Sequence, residues 1–188
     1  MDIGTGAGLS GAVGVRPFLP PLLVGALARG DVGVDFDGTD WRFLESPGFL
    51  FAILALAVAW YMAERSGANR GAMRTAGLLL SVGLGAVLFA GSLAAGGHTA
   101  LPGLIAGAAC AALAYVAVFS LVAGAARRLD GDAAGFLTLY ADAAALLLAA
   151  IAIFVPPLSF LALVAFALVL LRGRAAADRK YAGLRILR

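Results

Sequence analysis

The chain has 188 residues, of which 62% are apolar or aromatic and only 13% are charged, and its mean hydropathy is +0.97. Ordinary soluble domains carry about 25% charged residues and about 45–50% apolar residues. A soluble fold of this size cannot bury so much apolar surface, so part of that surface must face lipid. The composition therefore excludes a soluble enzyme, a DNA-binding module and a disordered chain.

The basic residues, which give a net charge of +3, lie between the apolar stretches. This distribution fits the positive-inside rule better than a phosphate-binding patch, so the partner we expect is the lipid bilayer and not a nucleic acid. The single cysteine, Cys110, excludes a disulfide framework or a cysteine metal cluster within one chain, and we expect neither metal nor cofactor. Thirteen arginines against one lysine and no glutamine are typical of a GC-rich bacterial genome.

The first apolar stretch, residues 3–28, is broken by Arg16-Pro17 and Pro20-Pro21. Proline removes a backbone donor and clashes with the preceding turn, so we do not expect an unbroken helix. Two interpretations stay open: a kinked sixth span, and a re-entrant segment that enters and leaves on one side. The break must be covered by protein or water in either case. Because no basic residue precedes Arg16, we expect the segment to be retained and not cleaved as a secretory signal.

Five apolar runs follow an acidic loop at 30–47, and they lie at 48–63, 76–95, 101–126, 133–155 and 158–171. Crossing about 30 Å of hydrocarbon takes roughly 20 residues, and Arg172 and Arg174 can snorkel to extend the short last run. We therefore predict an all-α polytopic transmembrane bundle, with residues 1–188 forming a single integral membrane domain. It has five firm spans and the broken N-terminal segment as a re-entrant loop or a sixth span.

The basic residues also predict an orientation. Three connections carry arginines: 64–75, 127–132 and the tail 172–188. Two carry no basic residue: 96–102 and the Pro156-Pro157 turn. Connections with and without basic residues alternate strictly along the chain only if the last two runs form an antiparallel hairpin and not one long helix. The positive-inside rule then places the tail in the cytoplasm and the acidic loop outside, in the bacterial inner membrane. The N-terminus is inside if the first segment spans, and outside if it re-enters.

Asp142 is the most informative polar residue, because it lies ten residues into the run 133–155. An aspartate near the middle of a span costs about 2.5–3.5 kcal/mol to insert. Helical spacing places it on a small, partly polar face: Ala134, Thr138, Asp142, Ala145 and Ala149. Asp142 is therefore expected to face the bundle and to serve as a proton or ion relay. The alternative is a helix that begins near Ala143, with Asp142 as its cap at the interface.

Arg16 is the second candidate, since a spanning first segment would bury it beside the helix break. We hypothesise an Arg16–Asp142 ion pair, because both are intramembrane charges of opposite sign. The alternative places Arg16 at the mouth of a re-entrant loop. Together with two neighbours these residues form the predicted polar pathway: Arg16, Pro20, Thr138 and Asp142.

The remaining distinctive residues are assigned structural roles. His98 and the acidic loop are expected to be solvated, since the loop spacing matches no calcium site. Trp60 and Tyr61 end a run and are interpreted as interfacial anchors. Small residues at four-residue spacing predict close helix packing: Gly77, Ser81, Gly85, Gly103 and Gly107. Metalloprotease, P-loop and serine-hydrolase motifs are absent from the sequence, so we do not expect an enzyme and assign no catalytic residue.

The stretch Gly14-Val15-Arg16-Pro17-Phe18-Leu19-Pro20 resembles the opening motif, Gly-x-Arg-x-Phe-Leu-Pro, of a bacterial multipass membrane family of unknown function. Members also show Ser-Pro before the next span, as Ser46-Pro47 does, and an acidic residue leading into a final proline-split hairpin, which Asp142 resembles. The second run ends in Glu64-Arg65, where the family has a longer acidic and lysine-containing end. The resemblance implies the multipass architecture and no reaction.

Two functions stay open. The first is a small transporter or channel-like protein for a small solute, ion or lipid, with the broken segment and Asp142 as its polar route. A chain of this size would have to form a homo-oligomer to enclose a pathway. The second is a non-catalytic subunit or scaffold bound to a larger membrane-protein partner. Polar residues that converge on a water-filled cavity would favour the first function, and a flat apolar side would favour the second.

Overall fold

Seven α-helices and one short 3-10 helix make up the computed structural model, which describes residues 2–67, 69–126 and 131–182. No strand occurs in these ranges. The helices are α1 (Asp2–Val15), α2 (Leu19–Ala28), α3 (Pro47–Arg65), α4 (Arg70–Ala95), α5 (Leu101–Ala126), α6 (Gly131–Phe154) and α7 (Pro156–Ala182), and the 3-10 helix is Arg42–Glu45. The predicted all-α class is confirmed.

Five of these helices are long and apolar enough to cross a membrane, and they match the five predicted runs: Pro47–Arg65, Gly71–Ala95, Leu101–Ala125, Phe136–Phe154 and Pro156–Gly173. Large apolar side chains cover their outer faces, among them Phe51, Leu79, Ile105, Leu147 and Leu161. An outer surface of this kind is stable in hydrocarbon and not in water. The chain is an integral membrane protein.

The last two helices form the predicted hairpin. Helix α6 ends at Phe154 and α7 begins at Pro156, a position where proline fits the first turn of a helix. Ala152 and Ser159, on either side of the turn, both contact Gly8 of α1, so the chain reverses between them. One continuous helix could not bring these two residues to the same point.

Helix α1 lies in the middle of the bundle, where it packs against α4, α5, α6 and α7. Its residues from Gly4 to Gly14 are buried. At its start, the hydroxyl of Ser92 donates to the carbonyl of Asp2 at 2.9 Å, which places Asp2 beside the end of α4. With 14 residues, α1 is about 21 Å long at about 1.5 Å per residue. It is therefore shorter than the hydrocarbon core of about 30 Å.

Helix α2 returns to the end of the bundle where α1 began. Gly33, which follows α2, packs against Ile153 near the end of α6, and Phe36 packs against Gly91 near the end of α4. Both ends of the first segment thus lie at one end of the bundle, here called the acidic end, with Asp2 and the loop 30–46. The opposite, basic end carries the α3–α4 connection with Arg65 and Arg74. The segment 2–28 is re-entrant, and the alternative of a sixth span is wrong.

Small residues allow α1 to lie so close to its neighbours. A Cβ atom at Gly8 would collide with Ser159 and Ala152, and one at Gly14 would lie 2.5 Å from the carbonyl oxygen of Ala111. The Ser10 hydroxyl lies 2.7 Å from the carbonyl oxygen of Gly85 on α4. Side chains of ordinary size would hold α1 away from the outer helices and open voids between them.

Three of the glycines predicted to mediate packing lie between α4 and α5. A Cβ at Gly107 would lie 2.5 Å from the carbonyl oxygen of Gly85, and a Cβ at Gly103 would lie 2.8 Å from Ala90. Ser81 is fully buried on the inner face of α4. The close approach of two backbones at small residues is typical of membrane helices, because lipid offers no hydrophobic force to hold larger faces together.

The acidic loop is only partly solvated, contrary to expectation. Asp31, Asp35 and Asp37 are exposed, but Phe36 and Leu44 are fully buried. These two apolar side chains pack on Gly91 and close the mouth of the hairpin. The charges of the loop indicated a solvated segment, but the apolar residues between those charges have to be buried from the aqueous face.

We predict that Gly8→Ala lowers the free energy of unfolding by about 1–3 kcal/mol, the usual effect of overpacking. Thermal unfolding of the detergent-solubilised protein, followed by circular dichroism, measures the change. Gly83→Ala is the matched control, since a Cβ at Gly83 meets nothing within 4 Å and alanine is the better helix former. Equal stability of the two variants would contradict the tight packing of α1.

The stability of the protein is expected to depend on pH through the carboxyl group of Glu45. Burial, and then the negative charges of Asp37 and Asp35, raise the pKa of the Glu45 carboxyl above its ordinary value. The fold therefore favours the protonated form, and this stabilisation is lost as the pH rises through the raised pKa. Glu45→Gln should match the native protein below about pH 4 and exceed it in melting temperature at neutral pH. Asp40→Asn, at an exposed acid of the same loop, is the matched control for replacing an acid with an amide.

Candidate functional site

Four polar side chains from three elements meet where α1 gives way to α2. The Nε atom of Arg16 lies 2.7 Å from Oδ1 of Asp142 on α6, and its Nη1 atom lies 3.6 Å from Oε1 of Glu64 on α3. The Nη2 atom also donates to the main-chain carbonyl of Thr138 at 3.5 Å. Arg16 is thus held between α3 and α6. We call Arg16, Tyr61, Glu64 and Asp142 the arginine cluster.

Each carboxylate of the arginine cluster also accepts a hydrogen bond from an aromatic side chain of α3. The Tyr61 hydroxyl donates to Oδ2 of Asp142 at 2.9 Å, and the Trp60 indole nitrogen donates to Oε1 of Glu64 at 3.0 Å. The guanidinium of Arg16 lies 5.9 Å from the centre of the Tyr61 ring. Trp60 and Tyr61, interpreted from sequence as interfacial anchors, therefore point into the site.

The prolines determine where Arg16 lies. Pro17 disfavours a helical conformation for the residue before it, so α1 ends at Val15 and Arg16 occupies the break. Pro20 lies in the first turn of α2, where its missing N–H costs no helical bond. Pro20 is buried and does not line the cavity described below, so its contribution is to the backbone and not to a polar route.

Asp142 lies in the middle of α6, which begins at Gly131. The alternative in which Asp142 caps a helix beginning near Ala143 is therefore wrong. Ala145 and Ala149, on the same face, are fully buried, whereas Leu147 on another face is exposed. Asp142 lies on the face of α6 that has small side chains and packs toward the bundle, because the large apolar side chains of α6 take the lipid-facing positions.

The cluster holds one positive charge against two negative ones. The side chains of Arg16 and Asp142 are only 16% and 20% exposed, whereas that of Glu64 is 38% exposed. Asp142 is thus the close counter-ion of Arg16, and Glu64 is the more accessible carboxylate. Removing one partner of a buried pair leaves an uncompensated charge, which is far more costly than the net contribution of the intact pair.

A cavity of about 640 Å³ lies between the arginine cluster and the α3–α4 connection, and we call it the basic-end cavity. Its volume falls in the range of small-molecule sites. The tip of the hairpin, α3, α4, α5 and α6 all contribute to its lining: Gly14, Val15, Arg16, Pro17, Trp60, Glu64, Gly67, Asn69, Met73, Arg74, Gly77, Tyr115, Val118, Phe119, Val122, Leu137, Thr138 and Ala141.

Aromatic rings and a second arginine form the wall opposite the hairpin tip. Tyr115 and Phe119 stack with their ring centres 6.2 Å apart, and the guanidinium of Arg74 lies 4.5 Å from the centre of the Phe119 ring. The Tyr115 hydroxyl donates to the main-chain carbonyl of Arg74 at 2.8 Å. A Cβ at Gly77 would lie 2.7 Å from that hydroxyl and 3.2 Å from Trp60, so a larger residue would intrude on this wall.

Arg16, Thr138 and Asp142 are brought together as hypothesised, although Thr138 contacts Arg16 through its main chain. The sequence analysis missed Tyr61, Glu64 and Arg74. One signal was present, because Trp60 and Glu64 stand four residues apart and share a helix face. Nothing in the sequence showed that this face meets Arg16, since that contact depends on where the hairpin lies.

Among the described residues, one group of acidic side chains has the spacing of a metal site, and it lies at the acidic end. The carboxylate oxygens of Asp31, Asp35 and Asp37 lie within 4.8 Å of one another. All three side chains are exposed, and Asp37 forms an ion pair with Arg42 at 3.0 Å. This group is far from the arginine cluster, and we assign no metal to it.

In a comparison with known families, the family model described as Domain of unknown function (DUF4126) matches residues 3–175. Comparison with curated proteins and with solved structures returns no match. The family match covers every residue of the arginine cluster and of the basic-end cavity. It confirms the predicted membership of a family of unknown function and supplies no activity.

We predict that Asp142→Asn destabilises the protein by about 3 kcal/mol, the lower end for a broken buried pair, since both partners keep some exposure. Glu64→Gln should cost less, because its contact with Arg16 is longer and more exposed. The double variant Arg16→Gln/Asp142→Asn should lose less unfolding free energy than the two single variants lose together, by at least about 1 kcal/mol. Unfolding free energies in detergent complete this cycle, and strict additivity would contradict the ion pair.

Proposed function

The chain belongs to the DUF4126 family, whose function is unknown, and we propose that it is a small transporter or channel-like protein for a small solute, ion or lipid. One observation carries the proposal: polar side chains from the hairpin tip, α3 and α6 converge on the basic-end cavity. Convergence of this kind favours transport over a purely structural role.

The free-energy cost of placing charged side chains within the membrane spans supports this function. Ionisable residues within membrane spans are expensive, and they mark pathways for ions or substrates far more often than they serve packing. Irregular backbone at membrane depth is tolerated where it lines a cavity, as the Arg16-Pro17 break does here. Transporters with discontinuous helices place such breaks at their binding sites. The hairpin tip is accordingly the part of the route that contacts the solute.

The route is closed toward the acidic end in this conformation. Fully buried apolar side chains separate the arginine cluster from that end, including Leu9 and Val13 of α1 and Leu88 of α4. Phe36 and Leu44 pack into the same core from the loop. Passage would therefore require the hairpin to shift against its neighbours, and a second conformation is part of the proposal.

The proposal includes an orientation and an assembly. The arginines at the basic end support an orientation in which that end and the C-terminal tail lie in the cytoplasm of a bacterial cell and the acidic loop lies outside the inner membrane. The tail residues 183–188 and the basic pair Arg127-Arg128 lie outside the described residues. A homo-oligomer is proposed because one chain of 188 residues has few helices with which to enclose a route. No enzymatic step is proposed.

A second candidate function is a non-catalytic subunit or scaffold, and a surface feature of α3 favours it. Phe51, Leu54, Val58 and Met62 recur every three or four residues along this helix, and all four side chains are exposed. Such a continuous apolar stripe suits a partner helix as well as lipid. In this case the arginine cluster would brace α3 and α6, and no solute would pass.

Flux through the reconstituted protein tests the proposal. Purified protein in liposomes is assayed with potassium, glycerol and leucine as solutes and with a fluorescent phosphatidylethanolamine as lipid. We expect passage of at least one probe above protein-free liposomes, and at least a tenfold loss in Asp142→Asn. Asp40→Asn, at an exposed acid of the acidic loop, is the matched control and should leave flux unchanged.

The native mass of the gently solubilised protein separates the two functions. A homo-oligomer together with Asp142-dependent flux supports transport. A stoichiometric complex with a larger chain, together with no flux of any probe, would replace transport with the subunit function.

A further inference from the structure

We infer that the basic-end cavity binds a small zwitterion, with its ammonium group beside Glu64 and its anionic group beside Arg74. This inference names the substrate class of the proposed function and rests on that function for its role in transport. It is derived from which charges of the cavity are already neutralised and which are still open to a ligand.

Glu64 is the open negative charge. Arg16 lies 2.7 Å from Asp142 but 3.6 Å from Glu64, so Asp142 takes most of its compensation. Glu64 accepts one hydrogen bond, from the indole of Trp60, and keeps further acceptor positions free. Its side chain is the most exposed of the three and lines the cavity. An ammonium group there would donate to the carboxylate and neutralise the extra negative charge of the arginine cluster.

Arg74 is the open positive charge. In the described part of the chain, no carboxylate lies within 4.0 Å of its guanidinium. The group rests over the Phe119 ring, which leaves its N–H donors available at the ring edge. Tyr115 binds the main-chain carbonyl of Arg74 and so fixes its helix against α5. A guanidinium in this position suits two-pronged binding of a carboxylate or a phosphate.

The pairing of the charges favours a zwitterion over a simple ion. Among the described side chains, Arg16 and Asp142 pair closely with each other, Glu64 keeps a longer contact with Arg16, and no carboxylate lies within 4.0 Å of the Arg74 guanidinium. A plain anion would compensate Arg74 and leave Glu64 with only its longer contact to Arg16, whereas a plain cation would compensate Glu64 and leave Arg74 uncompensated. A ligand with both charges satisfies both groups, and complementarity of this kind determines specificity.

The wall between the two charges is aromatic. Trp60, Tyr115 and Phe119 line it, and Trp60 and the Tyr115 hydroxyl pack against the backbone of α4 at Gly77. Aromatic faces suit both an apolar side chain and the carbon atoms next to an ammonium group. Two sources present this chemistry: a free amino acid with an apolar side chain, and the headgroup of a zwitterionic phospholipid.

Trp60 provides the readout, because the protein has two tryptophans and Trp41→Phe leaves Trp60 alone. The Trp41→Phe protein in phosphatidylglycerol nanodiscs is titrated with leucine, with leucinamide as the cation-only probe and with 4-methylpentanoate as the anion-only probe. We expect saturable changes in Trp60 emission with leucine, and at least tenfold weaker binding of the two single-charge probes. Calorimetric titration gives the affinities independently of the fluorophore.

Substitutions at Glu64 and Arg74 test which group of the ligand each side chain binds. Arg74→Ala and Glu64→Gln should each weaken leucine binding at least tenfold by calorimetry, and Arg74→Ala should then bind leucine no better than leucinamide, which lacks the carboxylate. Arg65→Ala is the matched control, because Arg65 is exposed at the same end of the bundle and does not line the cavity. Circular dichroism of each variant verifies that it is folded.

The lipid source is tested in parallel, with nanodiscs that contain phosphatidylethanolamine in place of phosphatidylglycerol. A change in Trp60 emission that occurs only in these discs, and is lost in Arg74→Ala and Glu64→Gln, would identify the headgroup as the ligand. Equal binding of the single-charge probes, or no response to leucine or phosphatidylethanolamine, would overturn the inference. Flux without zwitterion binding overturns this inference alone, whereas zwitterion binding without flux overturns the proposed function alone.

Discussion

The contact between Arg16 and Asp142 is the interaction on which the rest of the structure depends. A guanidinium carried into a membrane bundle must meet an acid there, because hydrocarbon offers it no water. The proline after Arg16 ends α1, and the ion pair at 2.7 Å then joins the resulting break to the middle of α6. Tyr61 and Glu64 join the same break to α3. One charged residue thereby determines how deep the hairpin lies and which helices surround its tip.

A hairpin held at its tip also needs room along its length, and small residues supply it. Glycines and alanines on α1 and its neighbours allow backbones to approach where larger side chains would collide. Dispersion between closely packed atoms then replaces the hydrophobic force that lipid cannot provide. The mouth of the hairpin is closed by Phe36 and Leu44, which the acidic loop carries back into the core. Packing thus seals the acidic end, while the polar tip faces the cavity at the other end.

The proposed function rests on this asymmetry between the two ends. Buried apolar side chains seal the bundle toward the acidic end, whereas the basic-end cavity offers a carboxylate, a guanidinium and aromatic faces within one volume of about 640 Å³. Arg16 and Asp142 serve mainly to position the hairpin, whereas Arg74 and the more exposed Glu64 are accessible to a ligand. A site built in this way can bind a ligand without breaking the ion pair that holds the fold together.

Hydrophobicity and charge along the chain determined much of this protein, because contact with lipid and the placement of arginines are local properties. They predicted the five spans, the hairpin at Pro156, the break at Arg16 and the inward face of Asp142. They left open whether residues 2–28 cross or re-enter, since both arrangements bury the same apolar side chains. Only the tertiary structure decided this, and with it the roles of Tyr61, Glu64 and Arg74. The partners of those residues come from helices distant in sequence, and no spacing along the chain encodes which helices become neighbours.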